Sequence, residues 1–335
     1  MQKTERPLVC IVSPAMAAAN NGNWQTAARW ARFLRTRCRV MIAQQWRPDA
    51  AMPAPDLLIA LHARRSADSL AAFRAAHPDR PTVLVLTGTD LYRDIHDDIT
   101  AQASLRAATA LVLLQDAGIA ELPPDVRARA HVIYQSAPSL QPWTAPRRHA
   151  EIAMIGHLRD EKDPATFMRA GALVQAPRAR LLHIGGALDA ALGELALATQ
   201  AQTPRYRWLG ALPRAQARQR LRRCHAMAIC SRMEGGANVI IEAVTSGVPV
   251  LASDISGNHG MLGDDYAGYF PPGDATALAR LIDRSIADPA FHATLRAQCA
   301  ARAPLFAPGT EQAALLDLVD NLGLLPRKAT YYHGN

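Results

Sequence analysis

Ser231-Arg-Met-Glu-Gly-Gly-Ala-Asn-Val-Ile-Ile-Glu-Ala-Val-Thr-Ser-Gly-Val-Pro-Val-Leu-Ala-Ser-Asp254 is the stretch on which the reading of this chain turns. Two carboxylates, Glu234 and Glu242, bracket a turn without bulky side chains, Glu234-Gly235-Gly236-Ala237. The backbone N–H groups of that turn, continuing through Asn238 and Val239 into a helix N-terminus, suit a diphosphate. Glu242 falls inside the helix, where a carboxylate accepts both hydroxyls of a ribose diol. Gly247 stands where a helix ends in a left-handed residue, and Val248 to Ala252 read as a short buried strand. An ordinary solvated helix with the same E-x7-E spacing is the competing interpretation, and the rest of the chain decides between the two.

Outward from this unit, apolar runs alternate with helical stretches from end to end. Leu8 to Val12, Val40 to Ala43, Leu57 to Leu61, Thr82 to Thr87 and Ala110 to Leu114 predict one set of strands, with a helix near Trp24 to Arg35. Ile152 to Gly156, Arg180 to Gly185, Arg205 to Leu209, Ala226 to Cys230 and Val248 to Ala252 predict a second set. Helices are expected near Ala275 to Ala287 and Ala290 to Arg302. This is the rhythm of α/β folds with doubly wound, Rossmann-like parallel sheets. The Pro- and Arg-bearing stretch Pro138 to His149 is the expected linker. It divides the chain into a first domain over 1–145, a second over 146–305, and a terminal segment over 306–335 whose helix, near Gly309 to Leu324, crosses back to the first domain.

At 335 residues and 49% hydrophobic, the chain buries a large core. Its longest apolar runs are far shorter than a membrane span, and the N-terminus lacks a signal-peptide apolar region, so a soluble cytoplasmic protein without stable membrane association is expected. Cys10, Cys38, Cys224, Cys230 and Cys299 form no C-x-x-C pair, which argues against a zinc site and a disulfide framework. The net charge of +8 invites a nucleic-acid interpretation. The arginines are dispersed, however, as in Arg29, Arg32, Arg35 and Arg37, and aromatics make up only 5%, too few for a stacking platform. Nucleic acid is therefore not an expected partner. There is no D-x-D motif, and Asp97-Asp98 and Asp264-Asp265 read as surface or helix-start acids; neither a metal nor a cofactor is expected.

The stretch from Ser231 to Asp254, with Asp254-Ile-Ser-Gly-Asn258 beyond it, resembles the nucleotide-sugar signature of family 4 glycosyltransferases, which have the glycosyltransferase B fold of two Rossmann-like domains facing a central cleft. The resemblance implies that Glu234 contacts the donor sugar and Glu242 holds the ribose. Ile155-Gly156-His-Leu-Arg159-Asp-Glu-Lys162 resembles the family's Gly-Arg-Leu-x-x-x-Lys loop, whose cations neutralise the diphosphate leaving group. Lys162 carries over directly; Arg159 lies two residues after the usual arginine, where His157 stands. Leu182-His-Ile-Gly185-Gly186 and Trp208-Leu-Gly210-Ala-Leu212-Pro213 match glycine turns that line the donor and its base, most often uracil in the family. With these cations and a helix N-terminus, stabilisation of the departing diphosphate needs no divalent metal.

In the first half, Asn20-Asn21-Gly22-Asn23 is a turn at a helix start, with N–H groups available to an anion. Family members ordinarily carry a glycine-rich loop here. The asparagine-rich version, followed by Trp24-Gln-Thr-Ala, resembles the selenosugar synthases of bacterial selenoneine biosynthesis, which join a UDP-sugar to selenophosphate. The resemblance implies a hexosyl transfer, of glucose or N-acetylglucosamine, that forms a carbon–selenium bond. Leu61-His62-Ala-Arg64-Arg65-Ser and Leu86-Thr87-Gly-Thr89-Asp90-Leu-Tyr-Arg93 follow strands. Their His62, Arg64, Arg65, Thr87, Thr89 and Arg93 are the candidate anion cradle. His62 and Asp90 are the polar candidates near the anomeric carbon; a structural histidine and a loop-orienting Asx hydrogen bond are the alternatives. A conventional glycosyltransferase acting on an alcohol, glycan or lipid is the alternative function. Trp24 and Trp30 are expected to pack rather than to stack on ligand.

Overall fold

A computed structural model describes residues 6–16, 22–49, 53–144 and 148–324. The chain forms two compact units, one of Met1–Tyr134 with Gly309–Asn335 and one of Gln135–Pro308.

The first unit is built on β1 (Leu8–Val12), β2 (Arg39–Ala43), β3 (Leu57–Leu61), β4 (Thr82–Leu86), β5 (Ala110–Leu113) and β6 (Ala130–Val132), all parallel in the order β2-β1-β3-β4-β5-β6. β1, β3, β4 and β5 are buried along their whole length, as near-continuous apolar runs in a parallel sheet must be. The helix Gly22–Leu34 packs on this sheet through Ala27, Trp30, Ala31 and Leu34. Pro308–Asn321 joins the same core through Leu315, Leu318 and Val319. Glu311, buried on that last helix, accepts from Arg29 Nε at 2.7 Å and Trp30 Nε1 at 2.8 Å. A buried charge-assisted pair of this kind fixes where the terminal helix sits. Trp30 is fully buried, whereas Trp24 is half-buried.

The second unit carries β7 (Ala150–Ile155), β8 (Ala179–Ile184), β9 (Tyr206–Trp208), β10 (Ala226–Ile229), β11 (Val250–Ser253) and β12 (Tyr269–Phe270), again parallel, in the order β12-β11-β10-β7-β8-β9. Four of its helices begin on aspartates: Asp163, Asp189, Asp274 and Asp288 each accept from the backbone N–H three residues on, removing an orphan donor. Gly247 takes φ +70° after the helix Asn238–Val244, the left-handed exit its position in sequence predicts.

Two differences from the sequence expectations concern boundaries. The units divide after Tyr134 and after Pro308, not at 145/146 and 305/306. Residues 135–144 belong to the second unit because Ala137 N–H donates to Phe306 O, Leu140 N–H donates to Thr245 O at 2.8 Å, and Pro142 packs against Gly247. The short edge strands β6 and β12 lie outside the expected elements; edge position makes them too brief to leave an apolar run. All five cysteines are buried, and none is in a disulfide. Among the described residues, no helix is long and apolar enough to cross a membrane.

Candidate functional site

In each sheet the chain reverses its direction of winding once, and the loops beyond the carboxyl ends of the two strands at that reversal frame the crevice in which open α/β sheets bind ligands. In the second unit those strands are β7 and β10. The loop after β7 carries Gly156, Arg159 and Lys162, and the loop after β10 carries Ser231 to Ala237. The topology therefore brings the sequence motifs together.

The two loops are bound to one another. Lys162 Nζ is hydrogen-bonded to Glu234 Oε1, which also accepts from Ser231 Oγ at 2.6 Å. Arg232 N–H donates to Glu161 O at 2.9 Å. Glu234 is 8% exposed, so its charge is held largely by these partners. Asp163, at φ +43°, ends the single turn Asp160–Lys162 and caps the helix Pro164–Leu173, accepting from Thr166 Oγ1 at 2.7 Å; this sharp reversal presents Lys162 to Glu234. Arg159 is not part of the arrangement; its Nε lies 3.9 Å from Glu161 Oε2 and the side chain is 45% exposed.

Glu242, buried on the helix Asn238–Val244, accepts from Arg214 Nε at 2.7 Å. Arg214 opens the helix Arg214–Leu221 immediately after the turn that contains Gly210 and half-buried Leu212. Gly235, Gly236 and Ala237 lead into Asn238–Val244 with Ala237 as the cap residue, Asn238 Oδ1 is buried without a hydrogen-bond partner among the described residues, and Val239 is half-buried.

Close backbone approach explains the glycines. A Cβ on Gly185 would lie 1.8 Å from Gly156 O, so the ends of β8 and β7 meet only without one. Gly185 N–H donates to Gly210 O at 2.8 Å, and Trp208 Nε1 donates to Gly185 O at 2.8 Å. Gly210 itself has φ +68°. Gly156, Gly185 and Gly210 thus form one row across three adjacent strand ends.

In the first unit the reversal lies between β1 and β3. The loop after β1 includes Asn20 and Asn21, which lie outside the described residues; Gly22 begins the following helix and Asn23 is half-buried in it. The loop after β3 begins at His62, which is 2% exposed and holds φ +77°, an unusual conformation for a non-glycine residue. Its Nδ1 accepts from Arg65 N–H at 3.4 Å, which leaves Nε2 to donate to Thr89 Oγ1 at 3.2 Å. Burial is the main cause that pushes the His62 pKa down; Arg65 and Arg64 add to this, while Asp90 and Asp94 oppose it.

Asp90 is fully buried. Its Oδ2 accepts from Ala63 N–H at 2.9 Å, and its Oδ1 accepts from Thr87 N–H at 2.9 Å and Gly88 N–H at 2.8 Å. The carboxylate is spent on clamping the β3 and β4 loops, so the geometry supports a positioning role for it. Asp90 opens a π-helical turn, Asp90–Asp94, of the kind that concentrates at functional sites. At the other end of that turn Asp94 gathers the arginines: Arg64 Nε and Arg93 Nε each lie 3.1 Å from its carboxylate. Arg65 is exposed and outside this group.

Three residues of these sites were not singled out by sequence. Ser231 had a local signal, a hydroxyl three residues before Glu234. Asp94 repeats Asp90 at i+4, a spacing that says nothing of the arginines it binds. Arg214 had none, because its contact spans 28 residues.

Residues 139–305 match the model of the family Glycosyl transferases group 1. No curated protein matches the chain by sequence. Among solved structures, HepE from Anabaena in complex with UDP-glucose is 17% identical over 94% of this chain and 100% of its own, with a TM-score of 0.75. Sucrose-phosphate synthase from Thermosynechococcus elongatus is 17% identical over 95% and 99%, with a TM-score of 0.77. The lipopolysaccharide outer core galactosyltransferase WaaB, in its apo form, is 12% identical over 94% and 99%, with a TM-score of 0.67. The likeness shows a shared architecture, the glycosyltransferase B fold.

Proposed function

We propose, from the match of residues 139–305 to the model of the group 1 glycosyl transferases, that the second unit binds a UDP-sugar and that the protein transfers its glucosyl or N-acetylglucosaminyl group to selenophosphate, giving a 1-selenosugar. The observation that carries the donor half is the Lys162–Glu234 pair at the β7/β10 reversal, with the Glu242–Arg214 pair beside the same turn. Lys162 supplies a cation for the diphosphate, with the amides from Gly235 to Asn238 as further donors. Glu242 accepts from the ribose hydroxyls, and Glu234 from the sugar. The ion pairs keep both carboxylates charge-compensated, so an incoming diphosphate meets no net negative site.

In the transfer, selenium attacks the anomeric carbon, a carbon–selenium bond forms, and the bond to the UDP oxygen breaks with its electron pair leaving on UDP; water then cleaves the selenium–phosphorus bond of the resulting Se-glycosyl selenophosphate, releasing inorganic phosphate and the 1-selenosugar. Selenophosphate is itself a strong nucleophile, so a strong general base is unnecessary. The acceptor half is supported by Arg64 and Arg93, which Asp94 brings together in the first unit beside His62 and Thr89. Guanidinium groups bind phosphate-like oxygens in a forked geometry. The asparagine-rich stretch at 20–23 supports it as well.

The test is product identification by mass spectrometry, with UDP-glucose and UDP-N-acetylglucosamine offered selenophosphate, simple alcohols, glycans and lipids in parallel. A selenium-containing sugar formed in preference to the alcohol products is expected. Efficient transfer to an alcohol with no selenium product leaves a conventional glycosyltransferase.

A further inference from the structure

Asp94 is unusual in the first unit. Its side chain is 4% exposed, and its Oδ1 accepts from Arg93 Nε at 3.1 Å. Its Oδ2 has two nitrogens near it, Arg64 Nε at 3.1 Å and His62 Nε2 at 3.8 Å, yet accepts no hydrogen bond of proper geometry among the described residues. The His62 proton on Nε2 is directed to Thr89 instead. A buried carboxylate oxygen is ordinarily given donors, because leaving it without them is costly. Of the two nitrogens, Arg64 Nε is the nearer to Oδ2, and its side chain, 43% exposed against 3% for His62, is the movable member of the group.

We propose that Asp94 makes this anion site selective for tetrahedral oxyanions that still carry a hydrogen, the monohydrogen anions of the phosphate type. The proposal rests on the assignment of an anionic acceptor to the first unit and adds what that acceptor must look like. Arg64 and Arg93 hold two of its oxygens through guanidinium N–H groups, Arg64 moving off Asp94 as it does so. The Asp94 Oδ2 so uncovered accepts the hydrogen bond from the ligand's O–H. An oxyanion of equal charge without a hydrogen sets a bare oxygen against the carboxylate, so the two negative atoms repel. Asp94 is thus a positioning residue for the arginines and a discriminator of the ligand's protonation. Mere charge neutralisation of two surface arginines would give no such discrimination.

Inorganic phosphate and sulfate are the probes, offered as dianions at a mildly alkaline pH to the full chain with no UDP-sugar present. Calorimetry of the unaltered protein should show phosphate bound about tenfold or more tighter than sulfate, the scale of one hydrogen bond to a charged group. In Asp94→Asn the amide donates or accepts, and the preference should fall to within about twofold, with UDP affinity unchanged as the sign of a folded protein. Equal binding of the two anions by the unaltered protein, no binding of either, or a preference that survives in Asp94→Asn overturns the proposal. The first comparison needs no variant. A phosphate preference lost in Asp94→Asn, in a protein that makes no selenosugar, would uphold the selector and discard selenophosphate as its ligand.

Discussion

Gly257 lies against the backbone carbonyl of Glu234 so closely that a Cβ at residue 257 would sit 1.9 Å from that oxygen. The helix Ser256–Leu262 is in this way a backstop for the loop that presents Glu234 to Lys162. Because the obstacle is backbone, Gly257→Ala must displace either the loop or the helix. A loss of about 1–3 kcal/mol in unfolding free energy is expected, the range for overpacking, together with weakened UDP binding. Urea unfolding and calorimetry measure both, and a variant with unaltered stability and affinity contradicts the backstop.

Glu242→Ala should weaken UDP binding by about 1–3 kcal/mol, as for removal of a hydrogen bond to a charged group. Its carboxylate is buried, and its Oε1 is fixed by Arg214. Calorimetry on a variant whose unfolding midpoint is near that of the parent checks this. Unchanged UDP affinity would remove Glu242 from the donor site.

Both carboxylate pairs were foreseeable in part. Glu234, the glycines after it, Glu242 and Gly247 are legible because a turn, a helix and its exit are local events with local residue preferences. Lys162 was legible through its own loop. Their meeting depends on the strand order, which places β10 beside β7 although β8 and β9 intervene in sequence. Arg214, Gly257 and Asp94 acquire their roles only through contacts made in three dimensions: a guanidinium on a solvated-looking helix, a glycine inside a helical stretch, an aspartate one helical turn from another. The division after Tyr134 was hidden for a related reason, since residues 135–144 look like a linker in composition yet are hydrogen-bonded into the second unit.

Turnover should survive chelation. Lys162 and the amides after Glu234 supply the positive field that a metal would otherwise provide for a departing diphosphate. Rates with and without EDTA are the comparison; complete loss on chelation, restored by magnesium or manganese, would show that these groups do not suffice.

His183 makes the fold sensitive to acid. It is fully buried on β8, its Nδ1 lies 3.0 Å from the Tyr206 hydroxyl, and burial pushes its pKa from 6.5 down to about 4. Since the unfolded chain binds the proton more readily, the contribution to stability is complete above pH 6.5 and is lost as the pH falls from there toward about 4. The loss amounts to as much as about 3 kcal/mol. Unfolding free energies measured across that window should fall more steeply for the parent than for His183→Gln; equal slopes would refute the assignment.

The ion pair of Glu311 with Arg29 has a consequence for synthesis. The first unit opens the chain, yet Leu315, Leu318 and Val319, which close its core, belong to a helix that follows the entire second unit. A chain emerging from the ribosome therefore holds that face of the first sheet covered only in part, by the helix Gly22–Leu34, while the second unit is made, and Arg29 and Trp30 wait for their carboxylate until the second unit is complete. The half that starts first is the half that finishes last, and a nascent chain halted before Pro308 should expose the uncovered part of that face to chaperones.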